Sequence, residues 1–203
     1  MKERPILFSG PMVRAILAGI KTQTRRVVKH CKDRNFGCDL APHELAGEVN
    51  NGNFTNCPYG QPGELLWVRE AWRTYASLDH LKPSQIAQGA GVQYEAGGNN
   101  IAGEIADRLH GLGRYRSGRF MPRWASRIML EETNVRIERL FDITSDDVFA
   151  EGVRCNHDVG DSEYDKCSMS TQAHFYEAWE SIHGPGSWEA NPFVWVVSFR
   201  MVK

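Results

Sequence analysis

A glycine at position 19 must stop a helix, and a threonine-rich run opens a strand directly after it with no linker between. That junction constrains the chain more than any other feature. The residues are Leu17-Ala18-Gly19-Ile20-Lys21-Thr22-Gln23-Thr24-Arg25-Arg26. Pro11 suits the first turn of a helix over Met12–Ala18, because its fixed φ fits there and its missing N–H is not needed. Gly19 suits the left-handed stop position, where a Cβ would clash. The run that follows is rich in strand formers. A lysine at such a corner can be held close to hydroxyls while guanidinium groups face an anion or a base edge. A solvated basic strand is the plainer reading, and spacing alone favours it.

The remaining pattern is strand-rich. Ile6–Phe8 is a short apolar strand. Gly63–Trp72 alternates Leu65, Trp67 and Arg69 against Leu66, Val68 and Glu70, with a turn signal at Pro62-Gly63. Ala125–Leu130 and Asn134–Leu140 read as two further strands, and Phe193–Val202 as a closing strand. Thr144 with Asp147 three residues on opens a short helix that stops at Gly152. Phe175, Trp179 and Ile182 mark a stripe on a helix from about Thr171 to His183, ended by Gly184-Pro185. Several short strands with few, peripheral helices predict an α+β protein built as a small mixed β-barrel rather than a doubly wound sheet.

One domain, 1–203, accounts for this length, with long loop insertions at about 30–62, 76–118 and 156–170. The first is polar and carries Asn50-Asn51-Gly52-Asn53, the second is rich in glycine, and the third is acidic. Gly103 and the glycines from Gly111 onward make no phosphate loop, since no GKS or GKT follows.

Charge is segregated along the chain, although the formal net charge is only −1. Met1 to Arg34 carries nine basic and two acidic residues, and Arg108 to Arg127 carries six arginines and no acid. Asp142 to Asp165 carries eight acidic residues against Arg154 alone. A neutral total therefore leaves nucleic acid open as a partner if the basic segments share a face, while mutual neutralisation across the fold is the even alternative. The chain has no long apolar run, so no membrane span is expected, and the charged start is unlike a signal peptide. Five cysteines at irregular spacings fit reduced thiols in a cytoplasm rather than a disulfide framework.

LAGIKTQTR at 17–25, GELLWVRE at 63–70 and AEGV at 150–153 occur in an order that resembles the ASCH domain family. The resemblance covers about half of the chain in separated blocks. It implies a PUA-like β-barrel and an association with RNA or modified nucleosides. The block Met121-Pro122-Arg123-Trp124-Ala125-Ser126-Arg127 is similar to longer members found in bacteriophages and prophages, which implies a bacterial cytoplasm. One branch of the family removes the acetyl group from N(4)-acetylcytidine, with a lysine as proton acceptor, a threonine three residues later as nucleophile and a distant glutamate as proton donor. The matching residues are Lys21, Thr24 and Glu151. The resemblance requires no cofactor and no metal.

That chemistry is coherent. A threonine hydroxyl attacks only once a base takes its proton, and a lysine serves as that base when burial or a neighbouring cation lowers its pKa. Arg25 or Arg26 supplies such a field, and backbone N–H groups at the Gly19 corner are candidates for holding an oxyanion. The acid must be protonated, which calls for a partly apolar site. In a regular strand Lys21 and Thr24, an odd number apart, face opposite ways, so their convergence demands a bend at Lys21-Thr22.

The expected pocket is lined by Lys21, Thr24, Arg26 and Glu151, with Thr22, Arg25, Arg69, Glu70, Arg123, Trp124 and Arg127 as further substrate-binding candidates. Trp124 is the candidate for stacking on a base, with core packing the plainer role. Arg69 and Glu70 are read as an ion pair at the pocket edge. Cys31, Cys38, His43 and Cys57 lack the tight spacing of common zinc sites, and the three cysteines read as free thiols. His174 and His183 read as surface or satisfied core histidines. The leading expectation is a nucleoside- or RNA-directed protein that hydrolyses an N(4)-acylated cytosine. A non-catalytic RNA-binding module and a ribonuclease are the alternatives, and a phage structural role is remote.

Overall fold

A computed structural model describes residues 2–97, 111–153 and 171–202. The fold is α+β and contains a five-stranded sheet. Its strands are β1 (Glu3–Leu7), β2 (Gln23–Val27), β5 (Leu65–Arg69), β8 (Met129–Arg139) and β9 (Phe193–Met201), in the spatial order β1-β5-β8-β9-β2. Two small ribbons accompany it, β3 (Cys31–Lys32) with β4 (Asp39–Leu40), and β6 (Trp72–Arg73) with β7 (Gln93–Tyr94). The helices are α1 (Gly10–Leu17), α2 (Pro42–Asn50), α3 (Ser145–Ala150) and α4 (Thr171–His183). The expected closed barrel is not formed among the described residues. Closure requires every strand to have two neighbours, and β1 and β2 stand at the two ends of the strand order.

The chain's contacts fall into two compact units. The first comprises residues 1–18, 63–131 and 200–203. In it β1 runs parallel to β5, Glu3 opposite Leu65, and β5 pairs antiparallel with the start of β8, Leu66 opposite Leu130. Its core gathers Trp72, Ile86, Val92, Tyr94, Met121 and Ala125. Two readings change here. The strand expected over Gly63–Trp72 stops at Arg69 and resumes as β6, which pairs with β7 instead, and Glu70 between the two forms a buried ion pair with Arg127. Ala125 belongs to a 3-10 turn over Arg123–Ala125 that follows Pro122, and the two strands expected beyond it are one continuous β8.

The second unit comprises residues 19–62 and 132–199. Here β2 lies antiparallel to β9, with Gln23 opposite Ser198, Thr24 opposite Val197 and Arg26 opposite Trp195. Strand alternation then gives this pair two faces. One carries Val194 and Val196, which pack with Leu140, Ile143, Val148, Phe175 and Trp179 from β8's end, α3 and α4. The other carries Trp195, against whose ring Tyr59 stands edge-on with centroids 6.0 Å apart. The insertion at 30–62 is not only loop. Its polar composition hides α2, whose Leu45 and Val49 are buried one turn apart. Asn50 fastens α2 by giving a hydrogen bond to the Ile137 carbonyl (3.0 Å) and taking one from the Ile137 amide (3.1 Å). Within 76–118 the described part holds short 3-10 turns and β7, while 98–110 and the third insertion at 156–170 lie outside the described residues.

Candidate functional site

Gly19 adopts φ +69°, the left-handed stop that the sequence required of it. The two residues before β2 are then pinned from both sides. Thr22 donates its N–H to the Ala150 carbonyl at 2.8 Å and accepts from the Phe199 N–H at 2.8 Å. Its side chain is exposed. Ala150 ends α3, whose start is held by a reciprocal cap: Thr144 accepts from the Asp147 N–H and Asp147 accepts from the Thr144 N–H. The helix closes on Glu151 as its C-cap, followed by Gly152 at φ +81°.

Lys21 and Glu151 meet there. The lysine Nζ donates to Glu151 Oε2 at 2.7 Å and to the Glu151 carbonyl at 2.8 Å, with the two side chains 2% and 6% exposed. Burial drives the Lys21 pKa below its ordinary value. Glu151 opposes this through charge and hydrogen bonding, and the Arg26 and Arg25 charges reinforce it.

The same patch continues along β2. Arg25 reaches Glu138, Asp147 (3.0 Å) and more distantly Glu151 (3.5 Å), and Gln23 donates to Asp147 at 3.0 Å. Arg136 from β8 bonds Glu138 at 2.7 Å and Asp147 at 2.9 Å. Burial works against ionisation of Asp147, yet hydrogen bonds from Gln23, Thr144 and Arg136 and the charge of Arg25 outweigh it. They hold the carboxyl far below the usual range. Three cations and three carboxylates therefore interlock, so the acidic helix neutralises part of the basic amino-terminal segment.

Thr24 is buried but sits elsewhere. Gln23 and Arg25 both engage Asp147, so alternation turns Thr24 to the opposite face of β2, which it shares with Arg26. Lys21 precedes the strand and escapes that rule. Arg26 lines a cleft with Tyr59 and Trp195.

The remaining candidates lie in the other unit. Glu70, 1% exposed, is clasped by both Nε and one terminal nitrogen of Arg127 at 2.9 Å each, and that guanidinium lies 4.0 Å over the Tyr94 ring. The expected Arg69–Glu70 pair is thus corrected. Neighbours on a strand point to opposite faces, and Arg69 instead lies over Trp67 (4.6 Å) and bonds the Arg119 carbonyl. Arg123 pairs with Glu3 at 2.7 Å. Trp124 packs edge-on against Trp72 in the core of that unit.

Comparison with known proteins gives no matching family profile, no similar curated protein and no similar solved structure. The functional reading therefore rests on the residues. Among those described, no group of three or more His, Cys, Asp or Glu side chains is arranged to hold a metal ion, and Cys31, Cys38 and Cys57 form no disulfide. No helix among them is long and apolar enough to cross a membrane.

Sequence reasoning missed Glu138 and Arg136 and assigned Asp147 only a capping role. The signal was present in the Arg136/Glu138 alternation, which puts both on the same strand face two residues apart.

Proposed function

We propose that this protein is an ASCH-type amidohydrolase with a PUA-like sheet that removes the acyl group from an N(4)-acylated cytosine, free or within RNA. It works in a bacterial cytoplasm, host- or phage-encoded. Lys21 is the proton acceptor, Thr24 the nucleophile and Glu151 the proton donor.

The observation that carries this reading is the buried Lys21–Glu151 contact. Catalysis needs a neutral amine and a protonated carboxyl. Moving one proton from Nζ to Oε2 across 2.7 Å produces both at once. In the first step Thr24 Oγ1 bonds the acyl carbon and its proton passes to Lys21. The C–N4 bond then breaks and N4 takes the proton from Glu151, releasing cytosine. Water hydrolyses the acyl-threonine to a carboxylate and restores the hydroxyl. To take the proton of Thr24, on the opposite face of β2, Lys21 Nζ leaves its contacts with Glu151, a movement its position before the strand permits.

Release of cytidine and acetate from N(4)-acetylcytidine tests this, with Thr24→Val as the isosteric control. Turnover by the wild type that is lost in Thr24→Val supports the assignment, and an inert wild type removes it.

A second reading, RNA binding without hydrolysis, is favoured by one observation: Thr24 shares its strand face with Arg26 and not with Gln23 and Arg25. A binder retains RNA with a steep salt dependence and leaves RNA and nucleoside intact. Fragmentation of unmodified RNA would point to the ribonuclease alternative.

A further inference from the structure

The second unit holds a cleft of about 690 Å³ on the Thr24/Arg26 side of β2, bordered, apart from Arg26, by residues that the Lys21–Glu151 chemistry does not use. Its floor is apolar and aromatic. Trp195 and Leu45 are buried at the base, and Tyr59 stands against Trp195. Its cations are Arg26 from β2, Lys29 just beyond it, Lys32 from β3 and Arg34 from the turn that follows. Among the described residues, no acidic side chain lines it.

The neighbouring acids lie behind this lining and hold its polar residues Asn56 and His30. Asp33 accepts from the Asn35 and Phe36 N–H groups and from Asn56, Glu48 accepts from Asn56, and Asp39 pairs with His30 at 3.2 Å. Arg34 gives one bond to the Thr55 carbonyl, which holds the guanidinium without neutralising it. Lys29, Lys32 and Arg34 are exposed, at the solvent side of the cleft.

We propose that this cleft binds a nucleotide, with the base against Tyr59 and Trp195 and the phosphate among Arg26, Lys29, Lys32 and Arg34. Half-buried Tyr59, backed edge-on by buried Trp195, offers an aromatic ring to a planar base, and concentrated lysine and arginine charge recognises a phosphate; a nucleotide joins both within the volume available. Tyr59 remains a neutral phenol throughout the physiological range, because burial pushes its pKa up to about 12. His183 also lines the cleft, stacked on Trp179 at 4.0 Å. Burial and then the Arg26 charge lower its pKa, so it faces the ligand as a neutral imidazole. The inference does not depend on amide hydrolysis, since binding is read without turnover.

Calorimetric titration with cytidine 5′-monophosphate, cytidine and inorganic phosphate tests it. The monophosphate binds at least about tenfold more tightly than either fragment, and the double charge reversal Lys32→Glu/Arg34→Glu weakens it by at least about tenfold. These side chains are exposed, so the fold tolerates the change, and Arg14→Glu on the exposed side of α1 leaves affinity unaltered. Tyr59→Ala weakens the nucleotide and not phosphate. Bound phosphate beside Arg26 offsets that charge, so the His183 imidazole titrates at higher pH by NMR when nucleotide is present. A short single-stranded oligoribonucleotide separates the two sources. Tighter binding than the monophosphate, lost in the double variant, assigns the cleft to an RNA strand, and weaker binding assigns it to the free nucleotide. The proposal is overturned if the monophosphate does not bind, if the double variant binds it like wild type, if the His183 titration stays put, or if a glutamate-rich peptide binds equally well.

Discussion

The amine of Lys21 and the carboxylate of Glu151 touch although 130 residues separate them in the chain. Neither is accessible enough for water to substitute as a partner. Removing Lys21 leaves buried Glu151 with the more distant Arg25 at 3.5 Å, and an ill-compensated buried charge costs far more than the pair itself contributes. Lys21→Met is therefore expected to lose about 3 kcal/mol or more of unfolding free energy. The double variant Lys21→Met/Glu151→Leu recovers much of that loss, because it buries no charge at this contact. Urea titration reads both, and strictly additive single effects would show that the two groups are not coupled.

Acid sensitivity should trace to Asp147. Its folded pKa lies below the unfolded value of about 3.9, so its ionised form stabilises the fold fully above that value. The contribution is lost as pH falls from there toward the folded pKa. Asp147→Asn is less stable than wild type at neutral pH, yet its stability declines less steeply on acidification below pH about 4. Parallel pH profiles of the urea midpoint for the two proteins would contradict this.

In the other unit Glu70 depends on Arg127. The carboxylate is almost wholly buried and takes two bonds from one guanidinium, which also covers Tyr94. Arg127→Ala removes partner and cover together, for an expected loss of about 3–5 kcal/mol. Adding Glu70→Leu restores a good part of it. If Arg127→Ala unfolds at the wild-type urea concentration, the clasp contributes nothing.

Two glycines should respond oppositely to alanine. A Cβ at Gly118 would stand 2.7 Å from the Glu70 carbonyl carbon and 2.9 Å from its oxygen, and backbone atoms there cannot yield cheaply. Gly118→Ala is expected to cost about 1–3 kcal/mol. Gly47 lies inside α2 with nothing within 4 Å of an added Cβ, so Gly47→Ala should gain about 0.5–1 kcal/mol through helix propensity. Thermal or urea unfolding of the two variants decides the signs.

Much of this protein is legible in local chemistry. Pro11 and Gly19 bracket α1 within a residue or two, and Thr144 with Asp147 starts α3. The alternation of Phe193 through Phe199 marks β9. Each depends on neighbours a few residues apart. Legibility fails where burial depends on distant partners. Helix α2 exposes a polar surface and declares itself only through Leu45 and Val49, and Glu70 reads as the partner of its chain neighbour because Arg127 is 57 residues away.

What the sequence determined alone is therefore the elements with local signals, such as α1, α3 and β9, because φ preferences, capping side chains and periodicity act within one or two turns of chain. Tertiary structure decided which charges share a buried patch, that Thr24 turns away from Gln23 and Arg25, and that Arg26 opens onto a cleft with Tyr59 and Trp195. Those outcomes follow from strand register and packing between remote segments. There a side chain's pKa and reach are set by what surrounds it in space.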